Sequence, residues 1–400
     1  MTSAPDAAGR PASGTTAGAA RAYQPPAPGT GLASLLPGAL RALGVEDLPE
    51  GVAPATWSVP ETRRVVVVLA DGLGAHQLQR RSGHARTLRE LSAPVGAESF
   101  ACGFPSTTAS SLTSLGTGRG VGEHGIVGWQ TSYRGRLLNH LSWKDGPDPH
   151  SHQPLPTLLQ HAGRRDVSMS TVSWPAYSGS GLTRASLRGG AFLGATSHAE
   201  RTLGVLQGLS QAGRLGRALV YAYWDEIDKA GHVHGPGSLE WGEAVEAFDA
   251  WIAGLVERVP EGTTILVSAD HGMIEAPHEQ RRDLALEPVL SEGVQLLAGE
   301  PRAPQAWCRA GAVDDVVATW RAELGESAIV LTREEAVDAG WFGPVREGYA
   351  GRIGEVVAAM LGSATVLDSR DLRPEVLRLR GHHGSITDAE TAVPLLVATT

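Results

Sequence analysis

The sequence is poor in cysteine and in lysine. Cys102 and Cys308 are the only cysteines in 400 residues, so no disulfide framework is expected, and the pattern fits a reducing compartment. Lysine occurs only at Lys144 and Lys229, and the formal net charge is -9 with a pI of about 5.9. Because no basic block is present, we expect no nucleic-acid binding through a face that neutralises phosphates.

Long apolar runs are also missing. No stretch has the length that a transmembrane helix needs. The N-terminus shows no cationic segment followed by an apolar segment, so no secretory signal is predicted. We therefore expect a cytoplasmic protein with no membrane partner, and the sequence leaves its oligomeric state open.

The remaining composition is that of a large folded chain. A hydrophobic fraction of 42% over this length suits one α/β domain with an inserted lobe, or two domains. Residues 1–30 are rich in small and polar residues without apolar periodicity, which predicts a disordered tail. We assign the main domain to 31–275 plus 381–400 and a smaller inserted lobe to 276–380.

Buried apolar runs alternate with amphipathic segments, which predicts a mostly parallel central sheet with helices on both faces. Four consecutive valines within 64–70 cannot alternate between faces, so this run is typical of a buried strand. The other predicted strands of the main domain are 95–101, 167–171, 218–224, 263–269 and 392–399, and its predicted helices are 108–118, 199–215 and 239–259. An α+β lobe is predicted from strands at 294–297 and 329–332 and helices at 313–324 and 352–361.

Carboxylates and histidines follow the predicted strands, at the edge where open parallel sheets bind their ligands. Asp71 follows 64–70, and Asp270 and His271 follow 263–269. Asp228 and His232 come after 218–224, and their i, i+4 spacing places them on one face of a helical turn. Together with the pair His382-His383, these oxygens and nitrogens suit zinc better than manganese or iron.

Each of these residues also has an ordinary structural role. An Asp after a strand is commonly a turn or capping residue, and a histidine can be a hydrogen-bonded core residue. All of these roles would have to apply at once for the metal hypothesis to fail. The segments together therefore predict two divalent metals and a hydroxyl nucleophile.

Thr108 is the candidate nucleophile. A metal on its oxygen would stabilise the alkoxide, and the start of the predicted helix adds backbone N–H groups that favour an anion. From the residues alone, Thr107, Ser106, Ser110 and Ser111 remain rivals, with capping and helix-face hydrogen bonding as their ordinary roles.

These segments resemble the alkaline phosphatase superfamily, in its nucleotide pyrophosphatase/phosphodiesterase branch. They occur in the family's order from Asp71 to His383. The segments are Asp71-Gly72, Phe104-Pro105-Ser106-Thr107-Thr108, Thr117-Gly118, His124-Gly125-Ile126, Asp228-Lys229-Ala230-Gly231-His232, Gly235-Pro236, Asp270-His271-Gly272 and His383-Gly384. The resemblance implies an alkaline phosphatase-like fold in which the main domain is catalytic.

The resemblance also implies a role for each matching residue. It selects Thr108 over Thr107 as nucleophile and His383 over His382 as ligand. The expected activity is hydrolysis of phosphodiester or pyrophosphate bonds of a small-molecule phosphate ester, through a phosphothreonine intermediate. The implied ligands are Asp71, Thr108, Asp270 and His271 for one zinc, and Asp228, His232 and His383 for the second.

Two further positions are predicted to bind substrate. Tyr223 falls where the branch often has an aromatic residue that stacks on a nucleotide base, although a core aromatic is the alternative. Trp129 stands where the branch usually has an Asn that donates to a phosphate oxygen, and Ala109 replaces an aromatic residue after the nucleophile. Trp129 supplies one indole donor and a large apolar face, so we expect an ester substituent to pack against it.

Several other functions remain as alternatives. A phosphomonoesterase, a phosphonate hydrolase or a sulfatase could share the fold, but a sulfatase would use Cys or Ser where this chain has Thr108. A non-catalytic metal-binding scaffold protein is disfavoured by the complete ligand set. Gly72-Leu73-Gly74 lacks the third glycine of a dinucleotide fingerprint, and no G-x-S-x-G elbow of a serine esterase is present.

Overall fold

The structure is a computed structural model that describes residues 23–94, 96–97, 100–212, 214 and 216–400. Strands and helices alternate through most of this range. The strands are β1 (Arg64–Ala70), β2 (Gln130–Tyr133), β3 (Arg136–Asn139), β4 (Val167–Ser173), β5 (Ala191–Gly194), β6 (Arg217–Trp224), β7 (Thr263–Ser268), β8 (Ile274–Glu275), β9 (Arg281–Asp283), β10 (Val294–Glu300), β11 (Ala303–Cys308), β12 (Ala328–Thr332), β13 (Val356–Met360), β14 (Thr365–Leu367), β15 (Gly381–His382) and β16 (Leu395–Thr399). The α-helices are Leu35–Ala42, Ala75–Arg80, Arg86–Glu90, Thr108–Thr117, Val121–His124, Pro149–His152, Leu158–Gly163, Gly181–Ser186, His198–Ser210, Glu226–His234, Leu239–Val256, Pro288–Ser291, Val313–Leu324, Arg333–Asp338 and Asp388–Thr391.

Six strands form the central sheet, in the order β16-β7-β1-β6-β4-β5. All neighbours in it are parallel except β16, which is antiparallel to β7. The consecutive valines of β1 are buried because this strand lies between β6 and β7, with helices packed around the sheet. The predicted fold class, a mostly parallel sheet with surrounding helices, is confirmed.

A second, antiparallel sheet has the order β10-β11-β13-β12. Helix Val313–Leu324 packs against β12, and its Trp320 is fully buried in a separate apolar cluster. This is the predicted smaller α+β lobe, and its sheet lies within 276–380. The domain boundaries drawn from the sequence stay a prediction.

Two predicted elements differ from the structure. The helix predicted over 352–361 is wrong, because Val356–Met360 forms β13 between β11 and β12. A short apolar run has no periodicity that separates a buried strand from a buried helix, and tertiary pairing decides here. The strand predicted over 95–101 falls partly on residues 95, 98 and 99, outside the described residues. The described part forms only an isolated antiparallel bridge between Ala101 and Ala392.

Other differences concern where elements end. The helix predicted over 199–215 ends at Ser210, with 213 and 215 outside the described residues, and the one over 239–259 ends at Val256. The last strand begins at Leu395, since Pro394 has no N–H to donate. Residues 1–22 of the predicted tail lie outside the described residues. None of the helices in the described ranges is long and apolar enough to cross a bilayer.

Candidate active site

Polar residues follow the carboxyl ends of three neighbouring strands of the central sheet. Asp71 follows β1, and Asp270 and His271 follow β7. Helix Glu226–His234 begins directly after β6 and carries Asp228 with His232. Because β1 pairs with both β6 and β7, these side chains meet at one edge of the sheet, as parallel strands require.

Two loops complete the site and are hydrogen-bonded to each other. Ser106, just before helix Thr108–Thr117, donates its N–H to the carbonyl of Gly384 at 3.1 Å, and its hydroxyl donates to the carbonyl of Ser385 at 2.7 Å. Gly384 has φ of 133°, and a Cβ there would lie 2.7 Å from Cβ of Glu300, so only glycine fits. This contact fixes the start of the Thr108 helix relative to His383.

The first group of candidate ligands contains Asp71, Asp270 and His271, with ligand atoms within 4.8 Å of one another. Nε2 of His271 lies 3.4 Å from Oδ1 of Asp71 and 3.4 Å from Oδ2 of Asp270. Oγ1 of Thr108 lies 3.2 Å from the same Nε2 atom. The four residues of the first predicted metal site therefore converge on one point.

The second group contains Asp228, His232 and His383, again with ligand atoms within 4.8 Å of one another. Nε2 of His232 lies 3.4 Å from Oδ1 of Asp228. The two groups adjoin, because the rings of His271 and His383 stack with centroids 3.6 Å apart. His382 is the neighbour on β15 and is not part of the group.

Hydrogen bonds orient the three histidines for metal binding. In each ring Nδ1 is within hydrogen-bond distance of a backbone carbonyl: Gly272 at 3.0 Å for His271, Gly381 at 2.8 Å for His232 and Ser106 at 2.9 Å for His383. A carbonyl can only accept, so Nδ1 carries the proton and Nε2 offers its lone pair to the cluster.

The carboxylates show a matching arrangement. Oδ1 of Asp270 accepts the backbone N–H groups of Gly72 and His271, each at 3.1 Å, and Oδ2 of Asp71 accepts the hydroxyl of Tyr223. Oδ1 of Asp71, Oδ2 of Asp270 and Oδ1 of Asp228 are buried and have no hydrogen-bond partner among the described residues. Buried, unsatisfied carboxylate oxygens facing imidazole nitrogens are what a bound divalent cation would satisfy.

Electrostatics favour the same conclusion. Burial, reinforced by the nearby carboxylates of Asp270 and Asp228, raises the pKa of Asp71 well above its usual range. Burial also raises the pKa of Asp228. Ionised carboxylates at this density need a compensating positive charge, so the residues present fit a pair of divalent metals.

A cavity of about 340 Å³ opens beside these groups, and Thr108, Tyr223 and Trp129 line it. The hydroxyl of Tyr223 donates a hydrogen bond to Asp71, and the stacking of its ring on a substrate stays a prediction. Trp129 also lines the cavity, and its indole N–H has no hydrogen-bond partner within the described chain.

Sequence reasoning missed Glu300. This residue ends β10 in the lobe and lines the cavity, where it accepts the backbone N–H of Trp129 and lies near the side chain of Thr107. Burial raises the pKa of Glu300 to about 7. The segment Glu300-Pro301-Arg302 between two apolar runs indicates a hairpin turn, but nothing in the sequence predicts which surface that turn contacts.

A second missed group lies at the cavity wall after β6. Asp225 accepts the hydroxyl of Tyr177 at 2.8 Å and the ammonium of Lys229 at 2.6 Å on the same oxygen, Oδ2. Tyr177, Asp225 and Lys229 all line the cavity. The positive charge of Lys229 is thus already neutralised before any substrate binds.

A six-stranded, mostly parallel α/β sheet with two His/Asp groups at its carboxyl edge defines an alkaline phosphatase-like protein. The family profile of type I phosphodiesterase / nucleotide pyrophosphatase matches residues 65–386, so the chain belongs to this family. The family's name describes enzymes that act on phosphodiester and pyrophosphate bonds, and the family typically uses divalent metal ions.

Solved structures of similar fold include murine ectonucleotide pyrophosphatase / phosphodiesterase 5, with a TM-score of 0.67 at 19% identity over 84% of this chain and 88% of that chain. The human protein of the same name gives a TM-score of 0.65 at 16% identity over the same shares of the two chains. An inactive form of the murine protein, solved in complex with AMP, gives 0.65 at 19% identity, covering 84% of this chain and 88% of that chain. At these identities the likeness shows the fold.

Among curated proteins the matches are local. The chain is 38% identical over 55 residues to the catalytic subunit of GPI ethanolamine phosphate transferase 3 of Homo sapiens, and 36% identical over 55 residues to that of Mus musculus. Each alignment covers 14% of this chain and 5% of the relative, so the chain spans only a small part of these proteins.

Proposed function

We propose that this protein is a two-metal phosphodiesterase that uses Thr108 as its nucleophile and forms a phosphothreonine intermediate. One observation carries the proposal: Oγ1 of Thr108 lies 3.2 Å from Nε2 of His271 within one ligand group, and the second group adjoins it through His383. Thr107, the rival hydroxyl, instead lies near the carboxylate of Glu300.

The ligand chemistry favours zinc. Nitrogen and carboxylate donors in two small groups suit Zn²⁺ better than the all-oxygen sites of Mg²⁺ or Ca²⁺. When bound, the two cations would supply charge neutralisation for the phosphoryl group and for the threonine alkoxide. The proposed ligands are Asp71, Thr108, Asp270 and His271 in one site, and Asp228, His232 and His383 in the other.

The chain's own residues account for two successive displacements. Oγ1 of Thr108 forms a bond to phosphorus while the bond from phosphorus to one ester oxygen breaks, and that oxygen leaves as an alcohol after taking a proton. Water then attacks the same phosphorus, the bond to Oγ1 breaks, and the threonine hydroxyl and a phosphate monoester are released. Thr108 is the first residue of a ten-residue helix, whose free backbone N–H groups favour the anionic phosphoryl group.

The charges around the cavity favour a diester over a monoester. Glu300 and Asp225 add carboxylates next to the proposed ligands, while Lys229 is already paired with Asp225. A monoester dianion carries one more negative charge than a diester and would need a further cation or donor. Trp129 supplies only an indole N–H at the wall that it lines.

The test is the ratio of kcat/KM for nitrophenyl diester and monoester substrates on the zinc-loaded protein. We expect the diester to be favoured. At a pH above the Glu300 pKa of about 7, the ratio should fall in Glu300→Gln, which removes the acidic charge, and in Trp129→Asn, which adds an amide donor. A wild-type preference for the monoester of roughly tenfold, about 1.4 kcal/mol in transition-state binding, would overturn the diesterase proposal and favour a phosphatase.

A further inference from the structure

The cavity extends past the proposed nucleophile along helix Thr108–Thr117. Leu112 lies one helical turn after Thr108, on the same face of helix Thr108–Thr117, and both residues line the cavity. The adjoining helix Gly181–Ser186 contributes Leu182 to the lining. This helix is held against the first one by a hydrogen bond of 2.7 Å between the hydroxyls of Thr113 and Ser186. The wall beyond the reacting oxygen is therefore apolar and built from packed helices.

One face of the central sheet also contributes to the lining. Thr171 of β4 and Tyr221 of β6 are register partners in neighbouring parallel strands, so their side chains stand side by side on the same face. Ser173 and Tyr223, two residues further along each strand, line the cavity as well. We call the part of the cavity that is lined by this sheet face and by the two helices the slot.

Two hydroxyl groups in this slot have no hydrogen-bond partner. Oγ1 of Thr171 and the phenol oxygen of Tyr221 are both buried and unpartnered among the described residues, and Thr171 and Tyr221 are 4% and 1% exposed. Leaving a buried hydroxyl unsatisfied costs about 1–3 kcal/mol. Two such groups on adjacent strands, both lining one cavity, indicate a ligand that satisfies them.

The charges exclude an ionic ligand for the slot. Thr171, Tyr221, Leu112 and Leu182 are uncharged, and Lys229 is the only lysine or arginine among the described residues that line the whole cavity. Lys229 is paired with Asp225 at 2.6 Å. A second phosphate or a carboxylate on the substrate would therefore find no free cation in this part of the lining.

We infer that the slot binds the ester substituent of the substrate, and that Thr171 and Tyr221 recognise a hydroxyl group at the end of an otherwise apolar, uncharged substituent. This inference rests on the proposed phosphodiesterase function. It narrows the substrate to phosphate esters of neutral alcohols with one further hydroxyl group, and it disfavours nucleoside polyphosphates, whose distal phosphates would be unmatched.

The test uses phosphonates, which carry one substituent and are not hydrolysed. Binding of butylphosphonate and of its analogue with a terminal hydroxyl group to the zinc-loaded protein is measured by calorimetry. The hydroxylated ligand should bind about five- to tenfold more tightly, the range expected for one or two neutral hydrogen bonds. Tyr221→Phe and Thr171→Val should each reduce this ratio, and carboxypropylphosphonate should bind more weakly than butylphosphonate.

Ser170→Ala is the matched control. Ser170 is the neighbour of Thr171 on β4, and its buried hydroxyl is likewise unpartnered, but it lies on the other face of the sheet, against Gly208. The ratio of the affinities for the hydroxylated phosphonate and for butylphosphonate should be unchanged in this variant. Equal affinity of the two phosphonates for the wild type, or tighter binding of the carboxylate, would overturn the inference. If the ratio behaves as expected but no diester is hydrolysed, the inference stands and the proposed function fails.

Discussion

At the scale of single residues, the site depends on side chains in which one polar atom is hydrogen-bonded and the other is available to bind a metal. Asp270 has Oδ1 held by two backbone N–H groups, and Oδ2 of Asp71 is held by Tyr223. The imidazole of His271 is fixed in the same way by a carbonyl on Nδ1. Such anchoring removes rotamer freedom before a metal binds, so less entropy is lost on binding.

Thr108→Ala should remove nearly all turnover, because water alone would then have to attack the phosphorus. The expected loss in kcat is roughly 10³-fold or more, as for other removals of a nucleophile. Turnover of a nitrophenyl diester by the zinc-loaded variant is the measurement. Thr107→Ala is the control and should cost far less, since it is Oγ1 of Thr108 that lies 3.2 Å from Nε2 of His271. A larger loss for Thr107→Ala would mean that the nucleophile is misassigned.

The sequence allowed the ligands to be predicted for a physical reason. Asp71, Asp270 and Asp228 each follow a strongly apolar strand closely, and such strands have a carboxyl edge at which ligands collect. Glu300 could not be found in this way, because its position depends on how the lobe packs on the main domain. The choice between His382 and His383 came from resemblance, since two adjacent histidines, of which only His382 lies on the two-residue strand β15, carry no periodicity.

At the scale of elements, the hairpin of β10 and β11 joins the lobe to the active site. Glu300 at its tip lines the cavity, and Arg302 forms a fully buried ion pair with Glu390, with atom distances of 3.1 and 2.7 Å. Glu390 also accepts the N–H of Ser385 at 3.0 Å, and its carbonyl accepts the N–H of Gly272 at 2.7 Å. The hairpin is therefore bonded to the two loops that carry His383 and His271.

Arg302→Met should destabilise the protein strongly, because it leaves Glu390 charged and unpaired in the interior. A loss of about 3–5 kcal/mol in the free energy of unfolding is expected for breaking such a pair, measured by urea denaturation. Adding Glu390→Gln should recover part of the loss, since the amide oxygen still accepts from Ser385. Arg165→Met removes the exposed pair with Asp47 and should cost far less, because solvent screens such a pair. Similar losses in the free energy of unfolding for Arg302→Met and Arg165→Met would contradict the expectation that the buried pair of the hairpin stabilises the fold.

Some elements could be predicted from the local sequence pattern, and others could not. β1 could be identified because consecutive valines fit only a strand covered on both faces. The run Val356–Met360 carries too few residues to show a helical or a strand period, and its pairing with β12 is a long-range contact. The end of helix His198–Ser210 could not be located for a similar reason, because no glycine or proline directly follows it.

At the scale of the whole molecule, the active site is a source of instability unless cations fill it. Asp71, Asp228 and Asp270 are brought together by the parallel order of β6, β1 and β7, so the fold itself concentrates negative charge. A ligand that binds only the folded state raises its stability in proportion to RT ln(1 + [L]/Kd). Metal binding should thus offset the repulsion that folding creates.

Asp71→Asn tests this balance, because its effect on the melting temperature should change sign with metal. The folded-state pKa of Asp71 is raised. In chelated protein the folded form therefore keeps a proton on this carboxyl at pH values at which the unfolded form, with a carboxyl pKa near 3.8, has already released it. The contribution of this carboxyl to stability is therefore lost as pH rises from about 4 towards neutrality. At pH near 8, chelated Asp71→Asn should melt above chelated wild type, because the variant has no carboxylate to ionise.

With zinc in excess the order should reverse, since the variant lacks a ligand and gains less from the metal. Glu261→Gln, an exposed carboxylate before β7, is the control and should shift the melting temperature little with or without zinc. A variant that melts below wild type by the same margin in both conditions would show that Asp71 acts through packing alone. The crossover is expected only if Asp71 is costly in the folded chain and is compensated by a bound cation.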